Sequence, residues 1–310
     1  MRQLNTSLGF VAAASMLVLA SAPANAQATR TWVSGVGDDD NPCSRTAPCK
    51  TFAGAISRTA RDGEISVLDP GGYGAVTITK SITINGTNGQ GYGSILASLV
   101  QGVIIAITDP ADVRRTVRLI ALDINGVGTG LNGVRILGVN LAGTSVVIEN
   151  SRIDGFTGSG ILDERANGGK LVVSDTTIRH TLGSGIRIAA GGVNRIDAIL
   201  TNVRVHNAAV AALTVNGGAK AMVSNSVFSG STFGLDIEQV NTSATVDDST
   251  AGSKAAQESQ FSGLAGGPRR NPSASFALAS YDEASSSKMR RCCLSNAAFA
   301  ARRACSALPL

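Results

Sequence analysis

The stretch VVIENSRIDGFTGSGI, residues 146–161, is followed 25 positions later by LVVSDTTIRHTLGSGI, residues 171–186. Further copies begin at Ala198, Ala221 and Ala244, at offsets of 27, 23 and 23 residues. Repeats of roughly 20 to 30 residues, none of which can bury its apolar face alone, are typical of solenoids. The spacing therefore predicts that equivalent residues of successive copies lie directly above one another.

Within each copy, apolar and polar residues alternate as in a strand with one buried face. The third and eighth positions are apolar and are predicted to point inward: Ile148, Val173, Leu200, Val223, Val246, and Ile153, Ile178, Val205, Phe228, Ala251. The fifth position carries short polar side chains that can bond to one another and to the turn backbone. This predicted structural ladder is Asn150, Asp175, Asn202, Asn225 and Asp248.

The composition agrees with many short strands. Aromatic residues make up 4% of the 310 residues and glycine numbers 36, so the core must be built from Val, Ile, Leu and Ala between frequent turns. Weaker copies at residues 118–136 and 65–86 extend the series backwards. At about 25 residues a coil, residues 62–250 give roughly seven or eight coils.

The net charge of +5 does not indicate a nucleic-acid partner. Residues 1–250 hold 19 Lys or Arg and 19 Asp or Glu, so the excess lies entirely in residues 251–310. In that segment the repeat stops and Ser, Ala and Arg dominate. A disordered extension, a short capping helix at 296–304 and translation of a shifted reading frame all fit this irregular tail, which also carries Cys292, Cys293 and Cys305.

The first 26 residues have the pattern of a secretory signal peptide. Arg2 precedes an apolar run from Leu8 to Ala20, and the small residues Ala24 and Ala26 mark a cleavage site. A membrane-spanning helix would need about 20 apolar residues, more than this run supplies. The mature chain is therefore predicted to be secreted or periplasmic, with no membrane span after cleavage.

Cys43 and Cys49 lie six positions apart in NPCSRTAPCK, and export makes them a candidate disulfide. A zinc site is the alternative, but His180 and His206 are too far along the chain to form an obvious second ligand pair. We assign residues 27–61 to an N-terminal cap that holds this disulfide and residues 62–250 to the repeat domain.

The segment APCKTFAGAISRTARDGEISVLDPGGYGAVTITKSITING, residues 47–86, resembles the opening of bacterial right-handed parallel β-helix repeat proteins of the pectate-lyase-like superfold. The resemblance covers roughly residues 31–250. It implies an all-β, right-handed parallel β-helix whose first coil is plugged by a short helix, a role that residues 51–59 fit. It implies no single activity, because the superfold includes lyases, hydrolases and adhesins.

The ninth column of the repeat contains Asp154, Arg179 and His206, followed by Ser229. In adjacent coils these residues would be neighbours, so the first three are candidate catalytic residues. The alternative is an ordinary solvent-exposed ion pair. His180, in the next column, is predicted to be a solvated turn residue.

Two short segments of the sequence are rich in acidic residues. Asp38, Asp39 and Asp40 have a composition that suits calcium, but the ligand set is incomplete, so no metal or other cofactor is predicted. The segment 163–165, Asp-Glu-Arg, is predicted to be a surface loop.

We therefore predict an exported β-helix protein, non-catalytic or of unknown activity, that presents a polar face to a polysaccharide or a cell-surface glycan. The alternative is a polysaccharide lyase or glycoside hydrolase that acts on the outer face of the β-helix. An adhesin-like interaction module is a third possibility.

Overall fold

The computed structural model describes residues 27–87, 93–191, 194–238 and 242–253. The predicted signal peptide and nearly all of the predicted tail, with its three cysteines and the proposed helix at 296–304, lie outside these ranges. The described elements are helix α1 (Phe52–Arg58) and strands β1 (Ala28–Val33), β2 (Thr59–Val67), β3 (Gly71–Gly72), β4 (Val76–Ile78), β5 (Ile82–Asn85), β6 (Gly93–Leu96), β7 (Val103–Ile105), β8 (Thr116–Ile120), β9 (Leu122–Gly130), β10 (Val134–Ile136), β11 (Thr144–Glu149), β12 (Arg152–Phe156), β13 (Ile161–Asp163), β14 (Gly169–Ser174), β15 (Thr177–Thr181), β16 (Ile186–Ala189), β17 (Ile196–Thr201), β18 (Arg204–Ala208), β19 (Ala211–Asn216), β20 (Lys220–Ser224), β21 (Val227–Ser231), β22 (Phe233–Ile237), β23 (Ser243–Asp247) and β24 (Thr250–Ser253).

The strands form three parallel sheets, because each coil contributes one strand to each sheet in turn. The first sheet has nine strands in the order β1-β2-β5-β8-β11-β14-β17-β20-β23. The second has eight, β3-β6-β9-β12-β15-β18-β21-β24, and the third has seven, β4-β7-β10-β13-β16-β19-β22. This arrangement is a parallel β-solenoid of about eight turns and confirms the predicted fold class.

The register of the sheets follows the repeat. Ile148 pairs with Val173, and Val173 pairs with Leu200, as the third column of the repeat requires. Ile153 pairs with Ile178 in the second sheet in the same way. These five side chains are fully buried. The core is therefore a set of aliphatic columns that run along the solenoid, and the sequence predicted their members.

The amino-terminal end of the solenoid is closed by α1. Thr51 caps this helix, since its Oγ1 accepts a hydrogen bond from the backbone N–H of Gly54 at 2.9 Å. Phe52 is buried under the helix and its ring lies 5.1 Å from that of Tyr73. Burial of this face covers the apolar end of the first coil, which a solenoid needs for solubility.

The segment assigned to an N-terminal cap also contributes to the solenoid itself. Strand β1 pairs in parallel with β2 and so forms one edge of the first sheet. Cys43 and Cys49 are joined by a disulfide, and both are almost completely buried. The disulfide closes the loop between β1 and α1.

Candidate functional site

The outer face of the third sheet carries a groove with a volume of about 370 Å³. It lies over β13 and β16 and beside the turns that lead into these strands from the second sheet. Its lining combines small, polar and charged residues: Asn132, Gly158, Ser159, Leu162, Glu164, Gly183, Ser184, Arg187, Ala189 and Val210.

The groove exists because two successive turns carry glycine where their neighbours carry aliphatic residues. Backbone hydrogen bonds stack Gly158 on Leu131 at 2.7 Å, Gly183 on Gly158 at 2.9 Å and Val210 on Gly183 at 3.3 Å. A Cβ on Gly158 would lie 2.5 Å from the carbonyl oxygen of Leu131, so the backbone approach requires glycine. The exposed side chains of Leu131 and Val210 therefore stand at the two ends of a notch.

Arg187 is the cation in the floor of the groove. It belongs to an outward column of the third sheet, in which Leu162 precedes it and Thr214 and Asp236 follow it. Its side chain is exposed, and within the described residues it has no hydrogen bond or ion pair. By contrast, Arg135 in the same column is paired with Glu164 at 2.8 Å. Arg187 is thus available to an anionic or hydroxyl-rich ligand.

Two acids lie on the same face, in β22 and just after it. Burial raises the pKa of Asp236, and the charge of Glu238 and a hydrogen bond with Glu238 raise it further, while the charge of Arg187 acts in the opposite direction. Glu238 also accepts a hydrogen bond from the Asn216 amide at 3.1 Å. Sequence reasoning did not single out this pair, because its two members are separated by an inward-facing residue in an ordinary alternating strand.

The predicted catalytic residues lie on a different face. Asp154 pairs with Arg179, and Arg179 with His206, on the outer face of the second sheet, so their predicted register is observed. Asp154 accepts hydrogen bonds from Arg179 Nη2 at 2.7 Å and from His180 Nδ1 at 2.8 Å. His206 Nδ1 lies 2.6 Å from Ser229 Oγ instead. None of these residues lines the groove on the third sheet, and their catalytic role stays a prediction.

The predicted ladder residues occupy the turn between the first and second sheets. The backbone N–H of Asn150 donates to Ser174 O, and that of Asp175 donates to Thr201 O, each at 3.1 Å. One side-chain bond joins two members within the described residues, from Asn202 Nδ2 to Asp175 Oδ1 at 2.6 Å. The turns are therefore stacked mainly through their backbones.

The two acidic segments have structural roles. Both oxygens of Asp39 accept hydrogen bonds from the backbone and hydroxyl of Thr51, and one of them also bonds to Lys50 N, so Asp39 anchors the start of α1. The described residues contain no cluster of three or more ligands that could hold a metal ion.

The expectation of a surface loop at 163–165 is wrong for two of its residues. Asp163 and Arg165 are fully buried and ion-paired, with Arg165 Nε 2.8 Å from Asp163 Oδ1. Arg165 also donates to the carbonyl oxygen of Thr144. Glu164, which points outward, is the only one of the three that reaches the groove. The buried charge is tolerated here because each of the three guanidinium nitrogens donates a hydrogen bond and the Asp163 carboxylate balances the charge.

The architecture places this chain among parallel β-helices of the pectate-lyase-like fold. The crystal structure of pectate lyase Pel9A matches it with a TM-score of 0.54 and 17% sequence identity. The match covers 72% of this chain and 63% of that chain, so this chain spans less than two thirds of Pel9A. At this identity the likeness is one of fold. Comparison with protein-family models and with curated proteins gives no match.

Across the described ranges, no helix is long and apolar enough to cross a membrane.

Proposed function

We propose that this chain is an exported protein that binds an extended polysaccharide in the groove on the outer face of the third sheet. The observation that carries the proposal is Arg187, an exposed guanidinium that lines the groove and makes no hydrogen bond or ion pair with any described residue. Export rests on the signal-peptide pattern of residues 1–26, and the buried disulfide is compatible with an oxidising compartment.

The groove has the mixed character that a sugar chain requires. Pyranose rings present C–H faces that pack on aliphatic side chains and hydroxyl groups that need hydrogen-bonding partners. Leu162 and Val210 supply apolar surface, while Asn132, Glu164 and Arg187 supply polar groups. The parallel stacking of coils repeats such positions about every 4.8 Å along the solenoid, which suits a ligand that is itself a repeat.

Affinity electrophoresis tests this proposal with the exported protein, a polyuronate and a neutral glucan. We expect the wild type to be retarded by at least one of these polymers and Arg187→Ala to bind roughly tenfold more weakly, because a charge-assisted hydrogen bond is lost. Arg152→Ala is the matched control, since it removes the same charge from the second sheet, where Arg152 is paired with Asp123 at 2.9 Å. Equal weakening in both variants, no retardation of the wild type, or recovery of the chain only from the cytoplasm would contradict the proposal.

A second candidate function is a lyase or hydrolase that uses Asp154, Arg179 and His206. The assembly of the three residues in one column favours it. Two assays test it with Arg179→Ala and Arg187→Ala: the absorbance of unsaturated products released from polyuronates, and the reducing ends released from other glycans. Catalysis at this column predicts wild-type turnover that Arg179→Ala abolishes and Arg187→Ala spares.

A further inference from the structure

The outer face of the second sheet carries a cluster of basic side chains around Arg179. His180 follows Arg179 in β15, and His206 is its direct neighbour in β18. Arg204 lies two residues before His206 and so projects from the same face of β18. Arg204 is exposed, and it has no hydrogen bond or ion pair with any residue that the structure describes.

The acid in this cluster leaves Arg179 incompletely paired. Asp154 gives one oxygen to Arg179 Nη2 and the other to His180. Arg179 Nε is consequently buried with no hydrogen-bond acceptor among the described residues. The Asp163–Arg165 and Asp197–Arg195 pairs differ, since in each of them Nε and Nη2 hold both carboxylate oxygens. Because Nε is buried, the donors that a second oxyanion could reach are those of Nη1 on the part-exposed guanidinium, which makes no hydrogen bond to a described residue.

His206 completes the donor set. Its Nδ1 lies 2.6 Å from Ser229 Oγ, and in the tautomer in which the Ser229 hydroxyl donates to Nδ1 the proton on Nε2 is free to donate to a ligand. Adjacent parallel strands lie about 4.8 Å apart, so the side chains of Arg179 and His206 can reach the same ligand atom group. Asp154 opposes two guanidinium charges here, those of Arg179 and Arg204, and the local balance is positive.

We propose that Arg179 and His206, with Arg204 beside them, form an oxyanion-binding site for a phosphate or sulfate group. A planar guanidinium next to a ring N–H donor matches the several acceptor oxygens of such a group. The site is separate from the groove on the third sheet and does not depend on glycan binding there.

Titration calorimetry with inorganic phosphate tests the site on the whole exported protein. We expect Arg179→Ala to weaken phosphate binding roughly tenfold or more, because charge-assisted hydrogen bonds are lost, and His206→Gln to weaken it less. Arg152→Ala is the matched control: it removes the same charge from the same face, but Arg152 is already paired with Asp123 at 2.9 Å. Its affinity should stay within about twofold of the wild type.

Two further ligands identify the source of the oxyanion. Dextran sulfate with dextran as its control represents a sulfated glycan, and phosphatidylglycerol vesicles with phosphatidylcholine controls represent a lipid headgroup. Loss of binding to either charged ligand in Arg179→Ala, but not in Arg152→Ala, supports the site. Loss with dextran sulfate identifies a sulfated glycan as the ligand, and loss with phosphatidylglycerol vesicles identifies a lipid headgroup. No phosphate binding by the wild type, or equal weakening in Arg179→Ala and Arg152→Ala, overturns the proposal. Unchanged melting temperatures establish that the variants are folded.

Discussion

At the scale of single residues, backbone conformation explains the column of Asn and Asp at the turn between the first and second sheets. Asn150, Asp175, Asn202, Asn225 and Asp248 all have positive φ, between 43° and 53°. Asn and Asp tolerate the left-handed region better than other residues with a Cβ. The sequence predicted a ladder of side-chain hydrogen bonds, whereas the common property of the column is this backbone conformation.

The same column contains one residue that suits it poorly. Ala121 occupies the equivalent turn one coil before Asn150, with φ of 53° and a backbone hydrogen bond to Glu149 O. Ala121→Gly should raise the free energy of unfolding by about 0.5–1 kcal/mol, because glycine adopts this conformation without steric strain. Urea-induced unfolding measures the change.

Ala198→Gly is the control for this substitution. Ala198 is also buried but lies in β17, where the backbone is extended, so glycine should lower the free energy of unfolding there by about 1 kcal/mol. The prediction is one of opposite signs, and destabilisation by both substitutions would contradict it.

At the scale of elements, the chain between β7 and β8 is held to the preceding coil by a buried carboxylate. Asp112 accepts hydrogen bonds from the backbone N–H of Ser81 at 2.5 Å, from its hydroxyl at 2.6 Å and from Arg115 N–H at 3.0 Å. Burial acts to raise the pKa of Asp112, but the hydrogen bonds from Ser81 and Arg115 outweigh it, so the pKa is lowered. The ionised form is therefore the one that stabilises the fold.

This lowered pKa predicts a pH-dependent contribution to stability. The pKa of an aspartate in an unfolded chain is about 3.9. The ionised Asp112 therefore contributes its full share to the free energy of unfolding above that pH, and this share is lost as the pH falls through the lower pKa of the folded state. Asp112→Asn should lower the free energy of unfolding by about 2 kcal/mol at pH 7, and the difference from the wild type should shrink below about pH 4.

Asp123→Asn provides the comparison, because Asp123 makes an exposed ion pair with Arg152 and should change stability by less than about 1 kcal/mol. Denaturant unfolding of the three proteins between pH 7 and pH 3 measures both effects. A deficit of Asp112→Asn that stays constant over this range would show that the carboxylate charge is not the cause.

The elements also show which features a sequence can predict. Strand pairing followed from the apolar columns, because a shift of one residue would turn every inward side chain outward. The buried pair at Asp163 and Arg165 did not follow, since polar residues were assigned to the surface. A signal was present: Asp163 pairs with Ile136 and Ile188 and so stands in an inward column.

The groove escaped prediction for a related reason. It needs glycine in two successive turns and aliphatic residues in the turns on either side, a pattern visible only across coils. Gly-Ser-Gly does occur twice in the repeat, at 158–160 and 183–185, directly before a third-sheet strand in each case. Gly-Ser-Gly produces a notch only because the turns on either side carry Leu131 and Val210, and these residues lie in copies with other turn sequences.

At the scale of the whole molecule, each coil contacts mainly the coil before it and the coil after it. The stability of such a solenoid is approximately a sum of terms from each coil and each interface. Ser174 and Thr201 are paired in the first sheet, so they occupy the same position in two successive coils. A cut and a join there would remove one full coil while keeping the register of the others.

Deletion of residues 175–201 should therefore give a folded and shorter solenoid. The new interfaces would place Val173 on Val223 and Ile153 on Val205, which are all buried aliphatic residues in their present columns. We expect an unchanged β-sheet circular dichroism spectrum per residue and a molecule shorter by about 4.8 Å in small-angle scattering. Because Arg179 and Arg187 leave with this coil, phosphate and polysaccharide binding should both disappear.

Deletion of residues 175–188, part of a coil, is the matched control: it puts inward residues out of register and should not fold. If the two deletions were equally unfolded, stability would not reside in interchangeable coils.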